Sequence, residues 1–243
     1  MILYPAIDLM NGKAVRLRQG RREDVTVYGE PVEIAARYWA EGAEWLHLVD
    51  LEAAFDGATR ALPLIRRITE AFSGPVELGG GLRTEADIEA RFDCGVSRCI
   101  IGTAAFEHPE LVEAAARRHP GQIAVGIDAK NGRVALRGWV ETAPVSAIAL
   151  ARQMKEKGVS DLIYTDISRD GMLTGPNVPA MREMIAETGM RVIASGGVSS
   201  LEDLRQLKKA GCAGAILGKA LYEGAFSLSE AIRLTGEEEQ EAD

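Results

Sequence analysis

The chain has 243 residues, 47% of them hydrophobic and 26% charged, and its formal net charge at pH 7 is −8. This acidic balance argues against nucleic acid as a general partner. No apolar run is long enough to span a membrane, and the first residues lack the basic segment and cleavage site of a signal peptide. The three cysteines lie in or beside apolar segments, which is typical of buried thiols in a reducing compartment. We therefore expect a cytoplasmic protein with no nucleic-acid or membrane partner.

Strand and helix patterns alternate along the chain. Strands are predicted at residues 2–8, 45–50, 76–78, 98–101, 122–128, 161–165, 192–194 and 215–217. Helices are predicted at residues 31–41, 61–72, 84–92, 109–118, 145–157, 178–188 and 201–209. Residues 13–17 and 132–136 are predicted to form hairpin arms, whereas residues 19–30 and 51–60 are predicted to be loops.

This order of elements predicts an α/β fold, a single (βα)8 TIM barrel. Eight strands that alternate with helices favour that barrel over an open doubly wound sheet. No linker rich in Pro, Gly or Ser interrupts the pattern, so residues 1–235 are expected to form one barrel domain. Residues 236–243 are mostly acidic and are expected to form a solvated, disordered tail.

One stretch of the chain occurs twice. Residues 75–105 and 191–221 align without a gap and share 8 of 31 positions, where chance would give roughly two. Both copies read as an apolar strand, a glycine turn, an amphipathic helix and a second apolar strand followed by Gly-x-Ala. The first four strands therefore map onto the last four, which indicates an internal half-barrel duplication.

Glycines follow the strands of both copies. A glycine turn between a strand and a helix lets backbone N–H groups approach an anion closely, and two such turns form a phosphate site. The same glycines also suit ordinary turns, but their repetition favours phosphate binding, and two sites imply a ligand with a phosphate at each end. The candidate residues are Gly80, Gly81, Gly102 and Thr103 in the first copy and Gly196, Gly197, Gly218 and Lys219 in the second.

Two aspartates also correspond between the halves. Asp8 and Asp128 each end an apolar strand and precede an Asn-Gly pair, at a spacing of 120. In a barrel this strand end is the catalytic face, and strands one and five lie opposite each other. Each aspartate could instead cap the hairpin that follows it. Because both occur in register, we expect general acid–base catalysis on the middle of a bisphosphate.

Further polar candidates lie near the same strand ends. Thr165 ends strand six, and His47 lies within strand two, where a histidine is also common as a core residue. Trp139 could stack on a base or anchor a loop. The remaining candidates for substrate contacts are Arg16, Arg137 and Asp170.

The motifs resemble, in order, those of the ProFAR isomerase family of histidine biosynthesis. The resemblance covers residues 1 to about 234 and rests on PAIDLMNGKAVRLRQG, GAEWLHLVDLEAAFDG, LGGGLRT, IIGTAA, GIDAKNGRVALRGW, YTDISRDGMLTGPN, IASGGVSS and LGKALYEG. It implies an Amadori rearrangement, from an aminoaldose to an aminoketose, of N′-((5′-phosphoribosyl)formimino)-5-aminoimidazole-4-carboxamide ribonucleotide. No metal or cofactor is implied, and a monomer is our expectation.

The resemblance also implies roles for individual residues. Asp8 would be the proton acceptor and Asp128 the donor, with Thr165 beside the acid. His47, Trp139 and Asp170 match the family's active-site positions, and the glycine turns with Thr103 and Lys219 would hold the phosphates. Which aspartate is the acid rests on this resemblance, since the near-symmetry of the two halves hides it.

Three alternatives remain open at this point. A sibling cyclase barrel, supplied with ammonia by a glutaminase, shares both aspartates and both phosphate sites. Some family members also isomerise phosphoribosylanthranilate in tryptophan biosynthesis, and the segment from Arg137 to Trp139 resembles the loop they use, although residues 140–142 depart from it. The third alternative is a catalytically inactive scaffold. The absence of a family motif would favour it, but every motif is present.

Overall fold

The computed structural model of the chain describes residues 1–18, 21–57, 60–136, 138–139 and 141–236. The strands are β1 (Ile2–Met10), β2 (Lys13–Arg18), β3 (Arg21–Gly29), β4 (Leu46–Asp50), β5 (Val76–Gly79), β6 (Arg98–Ile101), β7 (Ile123–Lys130), β8 (Arg133–Leu136), β9 (Glu141–Ser146), β10 (Asp161–Asp166), β11 (Arg191–Ser195) and β12 (Gly214–Leu217). The helices are α1 (Pro31–Ala40), α2 (Leu51–Asp56), α3 (Leu62–Ala71), α4 (Glu85–Phe92), α5 (Thr103–Glu107), α6 (Pro109–Arg118), α7 (Ala147–Glu156), α8 (Val178–Thr188), α9 (Leu201–Lys209), α10 (Lys219–Tyr222) and α11 (Leu228–Gly236).

A closed parallel barrel forms the centre of the molecule. Within the described residues, eight strands pair in the ring β1, β4, β5, β6, β7, β10, β11, β12 and back to β1. Helices lie between successive strands, as the (βα)8 prediction requires. Because β1 and β7 are four places apart in this ring, they face each other across the barrel.

Apolar side chains fill the molecule in two layers. A small cluster lies inside the barrel and consists of Tyr4, Ala6, Ile100, Ala124, Ile163, Ile193 and Ile216. A much larger cluster packs the outer faces of the strands against the surrounding helices. Inward and outward side chains alternate along each strand. Because Ala6 and Ala124 point into the barrel, Asp8 and Asp128 also point inward, at the mouth of the barrel.

The duplication predicted from the sequence is visible in backbone detail. Each half opens with a hairpin whose turn is Asn-Gly in the left-handed conformation, with φ of 51° and 73° in the first half and 53° and 74° in the second. Asp87 and Asp203 occupy the same position in the two copies of the repeat. Asp87 forms a capping box with Thr84 at the start of α4, and Asp203 forms one with Ser200 at the start of α9. That repeated pair is therefore explained by helix capping and not by catalysis.

Two segments predicted as loops contain regular structure. Residues 21–29 form β3, which pairs with β2 outside the barrel and is largely exposed, so it lacks the buried face that would give an alternating pattern. Residues 51–56 form α2, which Asp50 caps and Gly57 ends, but it is too short for a helical period to be visible. Residues 141–146 form β9, for which no strand was predicted, and the helix predicted from residue 145 begins at Ala147.

Some residues for which the sequence made predictions lie outside the described residues. They include Arg137 and residues 237–243 of the predicted acidic tail. In the described part of the chain, no helix has the length and hydropathy needed to cross a membrane.

Candidate active site

Asp8 and Asp128 lie at the carboxyl ends of the two opposite strands, β1 and β7. Each is followed by its Asn-Gly hairpin, and each pairs with the residue seven positions on, Val15 and Ala135 respectively. The structure thus brings the two carboxyl groups to the same mouth of the barrel. Their surroundings differ, however, and this difference breaks the symmetry that the sequence suggests.

The Asp8 carboxylate is paired with a buried cation. Arg16 on β2 donates from Nη1 to Oδ2 of Asp8 at 2.6 Å, and little of either side chain is exposed. Hydrogen bonds between ionised groups are the stronger class of such bonds. The charge of Asp8 is therefore compensated within the site, as suits a group that must be ionised to accept a proton.

Asp128 has neutral hydrogen-bond partners. Trp139 donates from Nε1 to Oδ2 of Asp128 at 2.8 Å, and Thr165, its register partner on β10, bonds to the same carboxyl group. Burial raises the pKa of Asp128, while the bonds from Trp139 and Thr165, and the positive charge that His47 carries when its ring is protonated, oppose that rise. A carboxyl group with a raised pKa is suited to donate a proton near neutral pH.

Asp170 is a third carboxyl group of this site. Burial raises its pKa to about 6; Arg16 acts to lower this pKa, whereas the negative charges of Asp8 and Asp128 raise it. Both aspartates therefore lie close enough to Asp170 to influence its ionisation. The sequence predicted Asp170 as a substrate contact, and its raised pKa makes it a candidate acid as well.

His47 reaches the site from β4. Its Nδ1 lies 2.6 Å from Oε1 of Glu77 on the neighbouring strand β5, and both side chains are buried. Its proximity to Asp128 is evident from its influence on the pKa of that group. Glu77 was not among the predicted site residues, although a glutamate within an apolar strand is an available signal for one.

The paired glycines after β5 and β11 have a structural reason to be glycine. Gly81 and Gly197 have φ of 71° and 87°, and a Cβ at either would lie 2.5 Å from a backbone oxygen, of Ala53 and Gly175 respectively. Gly80 and Gly196 also have positive φ. Tight turns therefore require these glycines whether or not a phosphate binds there.

The glycines after β6 and β12 are different. Gly102 has no neighbouring atom within 4 Å of where a Cβ would be, so its turn is open. A Cβ at Gly218 would overlap the Arg16 guanidinium, so that turn is covered by the cation that pairs with Asp8. The ammonium of Lys219 donates to the carbonyl oxygen of Gly171 at 3.1 Å, which ties the turn to the loop after β10.

An open pocket joins the first glycine turn to Asp128. It is lined by Gly102, Thr103, Phe106, Gly126, Asp128, Val134, Ala135, Leu136, Gly138 and Leu150. A phosphate at the Gly102 turn would place the rest of its molecule toward Asp128. Among the described side chains, no group of three or more His, Cys, Asp or Glu residues is arranged to hold a metal ion.

Comparison with known proteins assigns the family. The model of the family described as "Histidine biosynthesis protein" matches residues 2–227. A relative from Symbiobacterium thermophilum is 53% identical, with 97% of each chain covered. Relatives from Desulfitobacterium hafniense and Thermodesulfovibrio yellowstonii are each 51% identical, covering 98% and 96% of this chain and 97% of their own.

All three relatives carry the same name, 1-(5-phosphoribosyl)-5-((5-phosphoribosylamino)methylideneamino)imidazole-4-carboxamide isomerase. Neither the sibling cyclase nor an isomerase of tryptophan biosynthesis is named among them. The family match covers all eight barrel strands, including both aspartates and every glycine turn described above. The chain belongs to the histidine biosynthesis protein family.

Proposed function

We propose that this protein is an isomerase of histidine biosynthesis that converts the aminoaldose named by its relatives into the corresponding aminoketose. The observation that carries the proposal is the pair of unlike carboxyl groups, Asp8 and Asp128, on opposite strands of one barrel mouth. An Amadori rearrangement needs one group that gives a proton and one that takes a proton, on a substrate held between them.

The first step of the proposed mechanism is acid-assisted opening of the ribose ring. Asp128, whose pKa burial raises, gives a proton to the ring oxygen when it is in its acid form. The bond between that oxygen and C1′ breaks, its electrons stay on oxygen, and the amine nitrogen forms a Schiff base with C1′. Thr165 and Trp139 then stabilise the carboxylate that Asp128 becomes, since both bond to its oxygens.

The second step is removal of a proton from C2′. Asp8, whose charge Arg16 compensates, accepts that proton, and the electrons form an enolamine between C1′ and C2′. In the tautomerisation, C1′ gains the proton that Asp8 holds, and the C2′ hydroxyl loses its proton to the Asp128 carboxylate as it becomes a carbonyl, which completes the aminoketose and restores both side chains. No atom is gained or lost over the sequence, and each proton released is returned.

The two phosphates hold the ends of the substrate in this proposal. One would bind at Gly102 and Thr103, where the turn is open toward the pocket beside Asp128. The other would bind at Gly197, Gly218 and Lys219, where the Arg16 guanidinium supplies a positive charge. The protein would act as a cytoplasmic monomer on this small bisphosphate.

Steady-state turnover of the purified protein tests the proposal directly. We expect turnover of the aminoaldose, and no comparable turnover of phosphoribosylanthranilate used as the control substrate. Asp8→Asn should lower kcat by a factor of about 10² to 10⁴, the usual contribution of an acid–base group, while product affinity measured by calorimetry is kept. A folded wild-type protein without turnover of the aminoaldose would overturn the assignment.

A further inference from the structure

A chain of buried polar side chains runs from the active site into the barrel. His47, Glu77 and Arg98 occupy successive strands β4, β5 and β6, and each is the register partner of the next. Their side chains are directly linked, by the contact of 2.6 Å between His47 Nδ1 and Glu77 Oε1 and by donation from Arg98 Nε to Glu77 Oε2 at 2.9 Å. Glu77 is entirely inaccessible to solvent.

Arg98 is held in place on its other sides. Its Nη1 lies 3.1 Å from Oδ1 of Asp161, and its Nη2 donates to the Tyr4 hydroxyl at 3.0 Å and also to Glu77 Oε2. Its guanidinium carbon lies 4.5 Å from the centre of the Trp45 ring. These contacts fix the plane of the guanidinium, so its two donors toward Glu77 are fixed as well.

The two oxygens of Glu77 therefore have separate partners. Oε2 receives both donors from Arg98, which leaves Oε1 for the imidazole. An ionised carboxylate can only accept hydrogen bonds, so the atom facing Oε1 must carry a proton. That atom is Nδ1 of His47, which leaves Nε2 as the ring nitrogen available to a bound molecule.

We propose that Glu77 is a positioning residue that keeps the ring proton of His47 on Nδ1, so that Nε2 of the neutral ring accepts a hydrogen bond from a substrate hydroxyl. The identity of that hydroxyl, on the aminoaldose, rests on the proposed function. The assignment of the proton does not, because it follows from Glu77 and Arg98 alone. Arg98 has no contact with the substrate in this scheme and acts by fixing the orientation of the Glu77 carboxylate.

The substitution Glu77→Gln tests the proton assignment sharply, since it keeps the shape of the side chain. The amide must turn its oxygen to Arg98, because its NH₂ group cannot accept the two Arg98 donors. The NH₂ group then faces Nδ1 of His47 and donates to it, which moves the ring proton to Nε2. We expect the imidazole tautomer to reverse in this variant.

Nitrogen-15 NMR of histidine-labelled free protein at pH 8 reads the tautomer without any turnover. The chain has three histidines, so the His47 signals can be assigned by their loss in His47→Asn. We expect Nδ1 protonated in the wild type and Nε2 protonated in Glu77→Gln. A wild-type ring protonated on Nε2, or an unchanged tautomer in the variant, would overturn the proposal.

A matched control lies on the far side of Arg98. Asp161→Asn disturbs the same buried network but leaves Glu77 in place, so the His47 tautomer should stay as in the wild type. In kinetics we expect kcat/KM to fall about tenfold in Glu77→Gln and less than threefold in Asp161→Asn. Equal losses with equal tautomers would indicate a purely structural network and overturn the positioning role. If wild-type turnover is absent, the proposed function fails, and the NMR result still decides the role of Glu77.

Discussion

The Arg16 guanidinium donates to the Asp8 carboxylate at 2.6 Å, and the same guanidinium covers the backbone of the Gly218 turn. One buried cation thus contacts both the candidate base and one candidate phosphate site. A phosphate bound at that turn, as we propose, would lie beside Arg16, and substrate binding would then be physically coupled to the environment of the base. The buried Nε of Arg16 has no hydrogen-bond partner among the described residues, so it is a further donor available at this place.

Removal of the Arg16 cation should affect both the candidate base Asp8 and the candidate phosphate site at Gly218. Arg16→Met leaves the Asp8 carboxylate without its ion partner, and loss of one member of a buried pair costs on the order of 3 kcal/mol. We expect kcat/KM to fall by at least about 100-fold, with weaker product binding in calorimetry. Arg22→Met is the control, because Arg22 is half-exposed and its ion pair with Asp56 is long, at 3.8 Å. This variant should change kcat/KM less than twofold. A similar loss in both variants would contradict a specific role for Arg16.

Two carboxyl groups compete for the role of acid. Asp128 has a raised pKa and two hydrogen-bond partners, while the pKa of Asp170 is raised to about 6. If Asp128 gives the proton, Asp128→Asn should lower kcat by about 10² to 10⁴ and Asp170→Asn should mainly raise KM. Measurement of kcat and KM for both variants decides this. The reverse pattern would transfer the acid role to Asp170.

Asp170 should also make the protein less stable at alkaline pH. Its folded pKa of about 6 lies above the ordinary value of 3.8, so the folded state binds the proton more tightly than the unfolded state. The resulting stability is present below about pH 4 and is lost as the pH rises through 6. A shift of about two units corresponds to roughly 3 kcal/mol at most.

Thermal unfolding of Asp170→Asn tests this sign. Asparagine has no charge to bury, so the variant should melt several degrees above the wild type at pH 8, and the difference should shrink toward pH 4. Asp166→Asn is a useful contrast, because its carboxylate receives bonds from Ser168 and Asn177 and its pKa is lowered. That variant should be destabilised at pH 8. A Tm gain that persists at pH 4 would count against the explanation.

The sequence was sufficient to predict the barrel and the opposed aspartates. The strands that close the barrel are short apolar runs between helical segments, and Asp8 and Asp128 precede identical Asn-Gly turns, so both features have a local pattern. The exposed β3 has no such pattern, because it pairs with β2 through its backbone but buries no face of its own. It was therefore predicted as a loop, and this was wrong.

The partners within the site were harder to predict, since they come from distant parts of the chain. The contact of His47 with Glu77 joins residues 30 positions apart, and Glu77 contacts Arg98 a further 21 positions on. The unequal surroundings of Asp8 and Asp128 depend on Arg16 and Trp139, one in each hairpin segment, where the two halves have different sequences. Local spacing carries no information on such differences in charge and burial.

The indole of Trp139 influences the pKa of Asp128 directly. The residue has a φ of 73°, a conformation that is rare and strained for a bulky side chain, and such strain is concentrated at functional sites. Its Nε1–H bond to Asp128 stabilises the ionised carboxylate and so opposes the rise in pKa caused by burial. Trp139→Phe keeps an aromatic ring but removes the donor, so the pKa of Asp128 should rise further.

The consequence is visible in the pH dependence of turnover. If protonated Asp128 is the acid, the decline of kcat/KM at high pH should move upward by about one to two pH units in Trp139→Phe, since a bond to a charged group contributes about 1.5–3 kcal/mol. Trp39→Phe is the control, because Trp39 is an exposed residue that packs against Phe72 on the outside of the barrel. A decline that stays in place or moves to lower pH in Trp139→Phe would show that the indole does not tune the acid.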